Sequence, residues 1–99
     1  MEHKYGVREI VWEEIRQLAE KYQLKQVILF GSRARGDHHR VSDIDLAVSG
    51  GDITRFTLDV EDTTSTLLSF DVINLDSAVQ EKLLESIQRE GIVIYEEMG

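Results

Sequence analysis

The sequence has no cysteine and no proline among its 99 residues. Without cysteine there can be no disulfide, no thiolate metal site and no thiol nucleophile. Without proline, helices and strands must end at glycines and polar clusters. No apolar run approaches the roughly 20 residues that a membrane-spanning helix needs, and the charged first residues are unlike a secretory signal. We therefore expect a cytoplasmic protein with no membrane association.

Positive charge is also scarce, because 11 Lys and Arg stand against 19 Asp and Glu, for a formal net charge of −8. Nucleic acids are bound by clustered Lys and Arg, so direct nucleic acid binding and a polymerase activity are disfavoured. A small nucleotide stays open, because a bound divalent cation can offset local carboxylates. The length predicts one domain over residues 1–99, with one modest core.

The hydrophobic pattern predicts alternating helices and strands, as in a small α/β domain with a mostly buried sheet. Asp52 is a candidate helix cap, and Ser77 with Gln80 has the spacing of a capping box. The predicted helices are Val7–Tyr22, Ile53–Leu68 and Ser77–Glu90, and the predicted strands are Gln26–Phe30, Ile44–Val48, Phe70–Asn74 and Ile92–Tyr95, with a turn or short helix over Gly31–Gly36.

Two aspartates interrupt the second predicted strand. Asp43 and Asp45 are two residues apart, so they project to the same face of a strand. They repel each other there, and burying either one alone is costly. Mg²⁺ removes both problems, because it binds carboxylates together with substrate phosphates. An exposed edge strand with solvated acids is the alternative, which the apolar residues around them, Ile44 and Leu46–Val48, disfavour.

A Gly-Ser turn follows the first predicted strand, ten residues before the two aspartates. Gly31 lets the backbone approach a ligand closely, and Ser32 offers a hydroxyl and a free N–H where phosphates bind. A plain helix cap is the alternative for Ser32. Arg33 and Arg35 add positive charge nearby, and for each of them solvated surface or an ion pair is the alternative.

A third carboxylate would help to hold a second cation and to deprotonate a nucleophile. Asp71 is the candidate, because it lies in the apolar strand "SFDVIN", and a turn-capping aspartate is the alternative. We expect Asp59 to be solvated and Asp76 to mark the start of the last helix. His38 and His39 form an adjacent pair that we interpret as solvated rather than metal-binding.

The pattern of Gly31-Ser32, ten residues, then Asp43-Ile44-Asp45 resembles the signature of nucleotidyltransferases of the DNA polymerase β superfamily. The chain looks like the minimal nucleotidyltransferase family within it, and the likeness continues through "FDVINLD" to "LLESIQREGIVIYE". The resemblance implies a small nucleotidyltransferase fold of the α/β (α+β) class, with a mixed sheet of about three to four strands packed with helices.

The resemblance also implies roles for individual residues. Asp43, Asp45 and Asp71 match the metal-binding and catalytic acids, of which Asp71 activates the acceptor hydroxyl. Gly31 and Ser32 match the turn that holds the triphosphate, and Arg33 beside them is expected to help bind the nucleotide. The implied reaction is attack of an acceptor on the α-phosphate of a nucleoside triphosphate, with ATP expected and with Mg²⁺, or Mn²⁺ in its place, as the cation.

Members of this family are paired with a separate all-helical protein, either a HEPN-type toxin or a helical substrate-binding-like subunit. The resemblance therefore implies that such a partner supplies or binds the acceptor, and in some toxin pairs the acceptor is a tyrosine of the toxin. The alternative is a non-catalytic antitoxin that neutralises a HEPN-type partner by contact. The three acids and the Gly-Ser turn are all present, which favours an active enzyme. A homodimer also stays open.

Overall fold

Four strands and four α-helices alternate along residues 4–98, the part of the chain that the structure, a computed structural model, describes. A single 3-10 turn at Lys4–Gly6 precedes them. The helices are α1 (Glu9–Lys21), α2 (Ser32–Arg35), α3 (Ile53–Thr63) and α4 (Glu81–Glu90), and the strands are β1 (Gln26–Phe30), β2 (Ile44–Ser49), β3 (Phe70–Asn74) and β4 (Ile92–Glu96). Within these residues, no helix is long and apolar enough to cross a bilayer.

The strands form one mixed sheet in the order β3-β2-β1-β4. β2 runs parallel to β3, whereas β1 is antiparallel to both β2 and β4. The predicted α/β class and the mixed sheet are therefore confirmed. Because β1 runs opposite to β2 and β3, its end meets their beginnings at one edge of the sheet. That edge receives the Gly-Ser turn and all three candidate aspartates.

Helices cover both faces of the sheet. On one face, α1 and α3 bury the larger core against alternate residues of β1 and β2. The main members of this core are Val11, Trp12, Ile15, Val27, Leu29, Ile44, Leu46, Val48, Phe56 and Val60. On the other face, Ile87 of α4 packs against Phe30 and Ala47. The side chains of Asp45 and Asp71 project toward this second face, because they alternate with the residues of the larger core.

The helix α3 begins as predicted and ends earlier. The Asp52 carboxylate accepts a hydrogen bond from the Arg55 N–H at 3.1 Å, which confirms the predicted cap. The helix ends at Thr63 rather than Leu68. The Thr64 hydroxyl donates back to the Val60 carbonyl at 2.6 Å, and such side-chain bonds compete with helical ones.

The predicted start of the last helix at Ser77 is wrong, because α4 begins at Glu81. The Ser77 hydroxyl donates to the Asn74 carbonyl at 3.0 Å, and the Asp76 N–H donates to the Asn74 side chain at 2.8 Å. These bonds close a turn at the end of β3 instead of capping a helix. Gln80 stands at the N-cap without a side-chain capping bond.

Two further acids have other roles than the sequence suggested. Asp59 is not simply solvated, because it accepts a hydrogen bond from the Tyr22 hydroxyl and lies 3.9 Å from the Lys21 ammonium. Asp76 does not start the last helix, because its carboxylate accepts from the Gly50 N–H at 2.8 Å. Both acids therefore tie neighbouring segments together on the side of the fold away from the candidate site.

We expect replacement of Phe56 by Ala to lower the free energy of unfolding by about 3–5 kcal/mol, because it empties a fully buried position of α3. Phe56 is 0% exposed, whereas Leu58 on the same helix is 61% exposed. Leu58→Ala is the matched control and should change stability by only about 0.5 kcal/mol. Urea unfolding of both variants tests this, and equal losses would contradict the assigned core face of α3.

Candidate active site

The three predicted acids lie together at one edge of the sheet. Asp45 is the second residue of the central strand β2, and it is in register with Asp71 on β3 and with Phe30 on β1. Neighbouring strands are about 4.8 Å apart, so in-register side chains on one face are adjacent. Asp43 precedes β2 by one residue and is exposed. The reading of Asp45 as part of an exposed edge strand is wrong, because β2 lies between β1 and β3.

The carboxylates act on one another electrostatically. The pKa of Asp45 is raised from 3.8 to about 6, mainly by partial burial and further by the negative charges of Asp71 and Asp43. The positive charges of Arg35 and Arg33 act in the opposite direction. The raised pKa shows that repulsion and burial outweigh the two arginines. The site therefore has an excess of negative charge that a cation would relieve.

Gly31 brings its backbone against the Asp45 carboxylate. Its φ of +78° and ψ of −157° lie in a region that is essentially restricted to glycine. A Cβ at this position would overlap the Asp45 Oδ2 atom. Ser32 follows directly and begins α2, which has four residues and ends at Gly36 in the left-handed conformation. The Gly-Ser turn is therefore in direct contact with the Asp45 carboxylate.

The two arginines of α2 have different positions. Arg33 is 1% exposed and donates hydrogen bonds to backbone carbonyls, so the expected contact of its guanidinium with a nucleotide does not fit this arrangement. Its alternative, a solvated surface residue, is also wrong. Arg35 is exposed and pairs with Asp37 at 3.2 Å and Glu90 at 3.0 Å. The ion-pair alternative for Arg35 is therefore confirmed. Its charge also lowers the pKa of Asp45, as expected for a positive charge near the carboxylates.

The acids do not form a closed metal cage. Within the range 4–98, no group of three or more His, Asp or Glu side chains is gathered so that it could hold a metal ion by itself. His39 is exposed, as expected for a solvated histidine, and His38 is half-buried. This open arrangement still suits Mg²⁺, which is usually bound by one or two carboxylates, with substrate phosphates and water as its other ligands.

A groove of about 660 Å³ begins at Asp43 and extends along the segment that leads into β3. Arg8 and Val41 line its other side, together with Thr64–Ser69. The segment is held in place, because the Ser65 N–H and hydroxyl each donate to the Glu14 carboxylate at 2.7 Å. The sequence offered no signal for this groove, because its walls come from separate parts of the chain.

Replacement of Asp45 by Asn is expected to stabilise the cation-free chain near neutral pH. The folded state raises the pKa of this carboxyl from 3.8 to about 6, so its contribution to stability is lost as the pH rises through that interval. Asp45 is partly exposed, and solvent screening reduces the expected gain of the variant to about 1 kcal/mol. The gain should vanish in acid.

Urea unfolding in EDTA at acidic and neutral pH measures this difference. Asp62→Asn on the exposed side of α3 is the matched control, and it should show no comparable pH-dependent gain. An Asp45→Asn variant that is less stable than the wild type near neutral pH would contradict the electrostatic description of the site.

Replacement of Gly31 by Ala should disturb the site more than replacement of Gly36 by Ala. Both glycines have positive φ, at +78° and +85°, but a Cβ at Gly36 meets no atom within 4 Å. Gly36→Ala therefore measures backbone strain, about 1–2 kcal/mol. Gly31→Ala adds the overlap with Asp45. Unfolding curves and the NMR signals of the Asp45 carboxyl measure both effects, and an undisturbed Asp45 in Gly31→Ala would contradict the close contact.

Comparison with known proteins places this arrangement in a family. The family described as "Polymerase beta, Nucleotidyltransferase" matches residues 13–98. One relative, from Methanocaldococcus jannaschii, has the provisional name protein adenylyltransferase and is 40% identical over 42 residues, which are 42% of this chain and 49% of the relative. The chain spans about half the length of the curated relatives it matches first.

Two solved structures have similar folds. A toxin–antitoxin structure with AMP-PNP is 24% identical with a TM-score of 0.69, and the match covers 88% of this chain and 74% of that one. A structure provisionally named a minimal nucleotidyltransferase is 28% identical with a TM-score of 0.63, and the match covers 82% of this chain and 86% of that one. Since the family matches residues 13–98, the chain belongs to the polymerase β nucleotidyltransferases.

Proposed function

We propose that the chain is a Mg²⁺-dependent nucleotidyltransferase that transfers AMP from ATP to a hydroxyl acceptor. The observation that carries this proposal is the register of β2 and β3, which sets Asp45 beside Asp71 while Gly31 contacts the Asp45 carboxylate. A phosphate-binding type of turn and a group of acids therefore meet at one edge of the sheet. This combination suits a metal-bound triphosphate.

Asp43 and Asp45 are the residues that would hold the cation, with Asp71 beside them. Partial burial and the neighbouring negative charges together raise the pKa of Asp45, which supports this assignment, and carboxylate oxygens are the ligands that Mg²⁺ and Mn²⁺ prefer. When bound, such a cation neutralises charge that develops on the phosphate oxygens. Ser32 and the exposed Arg35 offer a hydroxyl and a positive charge to the triphosphate on the side of β1.

The order of the strands suggests the direction of the reaction. The Gly-Ser turn follows β1, the carboxylates lie on β2 and β3, and the groove leads into β3. In an in-line displacement the attacking and leaving oxygens are on opposite sides of the phosphorus. A pyrophosphate held at Gly31 and Ser32 would leave toward β1, and the acceptor would approach from the groove on the β3 side.

The proposed step is a single displacement at the α-phosphorus. The acceptor oxygen forms a bond to phosphorus as the bond between phosphorus and the pyrophosphate oxygen breaks. Asp71, on the β3 side, takes the proton of the acceptor hydroxyl, and pyrophosphate leaves. This chain contributes mainly position and electrostatics, which provide most of the catalysis in phosphoryl transfer.

We also propose that the acceptor belongs to, or is bound by, a helical partner protein of the HEPN type or of the substrate-binding type. The relative from Methanocaldococcus jannaschii is named for adenylyl transfer to protein, and the structural neighbour that contains AMP-PNP is a toxin–antitoxin. The groove beside Asp43 has exposed apolar side chains at its rim, with Val41 79% exposed and Leu67 fully exposed. These side chains could contact a protein acceptor.

Transfer from α-labelled ATP to the co-purified partner tests the function. Asp43→Asn combined with Asp45→Asn should lower the rate at least roughly 100-fold and remove Mg²⁺-dependent ATP binding, because the carboxylates that hold the cation are gone. Asp71→Asn should weaken ATP binding less than the double substitution does and should lose transfer, because it removes the proposed base while Asp43 and Asp45 still hold the cation.

Asp62→Asn, on the exposed side of α3, is the control and should be as active as the wild type. If the doubly substituted chain neutralised or supported its partner in cells as well as the wild type does, contact rather than catalysis would be the function.

A further inference from the structure

Among the residues that the structure describes, Arg33 is the only charged residue that is buried, with 1% of its surface exposed. It forms no ion pair there, since the salt bridges of residues 4–98 involve other arginines and lysines. A buried charge without compensation is strongly unfavourable. The arrangement around this guanidinium must therefore compensate the charge in another way.

Backbone carbonyls supply that compensation. The Ser42 carbonyl accepts from two atoms of the Arg33 guanidinium, Nε at 3.1 Å and Nη2 at 2.8 Å. Nη1 donates to the Tyr5 carbonyl at 3.0 Å, and Nη2 also lies 3.2 Å from the Arg40 carbonyl and 3.5 Å from that of His39. The planar fork of five N–H donors suits such a set, which a lysine ammonium cannot reproduce.

These contacts concentrate on the segment that delivers Asp43. Three of the four accepting carbonyls belong to His39, Arg40 and Ser42, and the doubly bonded one is the carbonyl of the Ser42–Asp43 peptide. The segment itself has few other restraints: the His39 N–H donates to the Ser42 hydroxyl at 2.8 Å, and the Ser42 N–H donates to the His39 carbonyl at 3.1 Å. The orientation of the Ser42–Asp43 peptide thus depends on Arg33.

The same residue is attached to the other half of the site. Arg33 follows Ser32 directly in α2, so its backbone continues the Gly-Ser turn while its side chain holds the segment before Asp43. Its charge is also felt by Asp43 and Asp45, which partly offset the lowering of its own pKa by burial. One residue therefore links the Gly-Ser turn to Asp43, the first of the two paired aspartates.

We propose that Arg33 is a positioning residue that fixes the direction of Asp43 through the Ser42 carbonyl and so sets the distance between the Gly-Ser turn and the metal-binding carboxylates. This proposal rests on the proposed nucleotide–cation site. Because the Arg33 guanidinium is buried and bonded to backbone carbonyls, its contribution lies in the part of ATP binding that requires Mg²⁺. The Gly-Ser turn and the exposed Arg35 account for the part that does not.

Calorimetric titration of ATP, once with Mg²⁺ and once with EDTA, separates these two parts. The dissociation constant in EDTA divided by that in Mg²⁺ measures how much the cation strengthens ATP binding. We expect Arg33→Gln to reduce this ratio by roughly 10- to 100-fold, the effect typical of residues that orient metal ligands. Arg33→Lys retains the charge and lacks the fork, so it should show most of the same loss. Arg55→Gln is the control. Arg55 lies on α3, where its exposed side chain is 3.6 Å from the Asp52 carboxylate, and this variant should match the wild type.

Several outcomes would overturn the proposal. A folded Arg33→Gln chain whose ratio of ATP dissociation constants equals that of the wild type would overturn it. Equal weakening of ATP binding in Mg²⁺ and in EDTA would also overturn it, because a purely structural role predicts that result. Full rescue by Arg33→Lys would replace the positioning role with a simple charge effect. If Arg33→Gln does not fold, the lysine variant decides by the size of its loss.

Amide hydrogen exchange tests the positioning role of Arg33 without any nucleotide. In Arg33→Gln the amides of Ser42 and Ile44 should exchange faster than in the wild type, relative to the amides of β1, because the segment before β2 loses its anchor. Unchanged protection would overturn the positioning role even if the wild type bound no ATP. Absence of Mg²⁺-dependent ATP binding by the wild type, with faster exchange in the variant, would instead count against the proposed function alone.

Discussion

The main constraint on this molecule is a partly buried carboxylate, Asp45, that the sheet places beside other negative charges. The parallel register of β2 and β3 sets Asp45 beside Asp71, and Asp43 adds a third negative charge from the segment before β2. In the cation-free chain near neutral pH, a neutral residue of similar size at Asp45 is expected to be more stabilising than the ionised carboxylate. Retention of a destabilising group at such a point is typical of a binding or catalytic site. A bound cation would relieve this unfavourable charge.

The rest of the fold makes this arrangement tolerable. The larger core, between the sheet and helices α1 and α3, lies on the face opposite to the carboxylates, so the acids do not disturb it. Gly31 offers backbone in place of a side chain next to Asp45, and the buried Arg33 adds a positive charge from below the segment 39–42. Most of the core thus lies on one face of the sheet, whereas the candidate site lies at one edge of the other face.

The sequence predicted the strands well, and the structure brings the candidate acids together at one edge of the sheet. Apolar runs bounded by glycine or polar residues define buried strands, and a partly buried aspartate inside such a run, as at Asp45, is costly and therefore indicates a function. This argument does not hold for Asp71, which is exposed on the edge strand β3. Helix ends were predicted less well, because side-chain bonds such as that of Ser77 to Asn74 decide them. The burial of Arg33 could not be predicted, since it depends on carbonyls up to 28 positions away along the chain.

The central claim is that Asp43, Asp45 and Asp71 form one cation site with the Gly-Ser turn. Addition of substoichiometric Mn²⁺ to the chain with AMP-PNP, followed by amide NMR spectra, tests it most directly, because the paramagnetic ion broadens only nearby signals. The account predicts selective loss of the amide signals of Ser32, Asp43, Asp45 and Asp71. Broadening that is confined to surface acids such as Glu61 and Asp62, with the signals at the edge of the sheet intact, would contradict it.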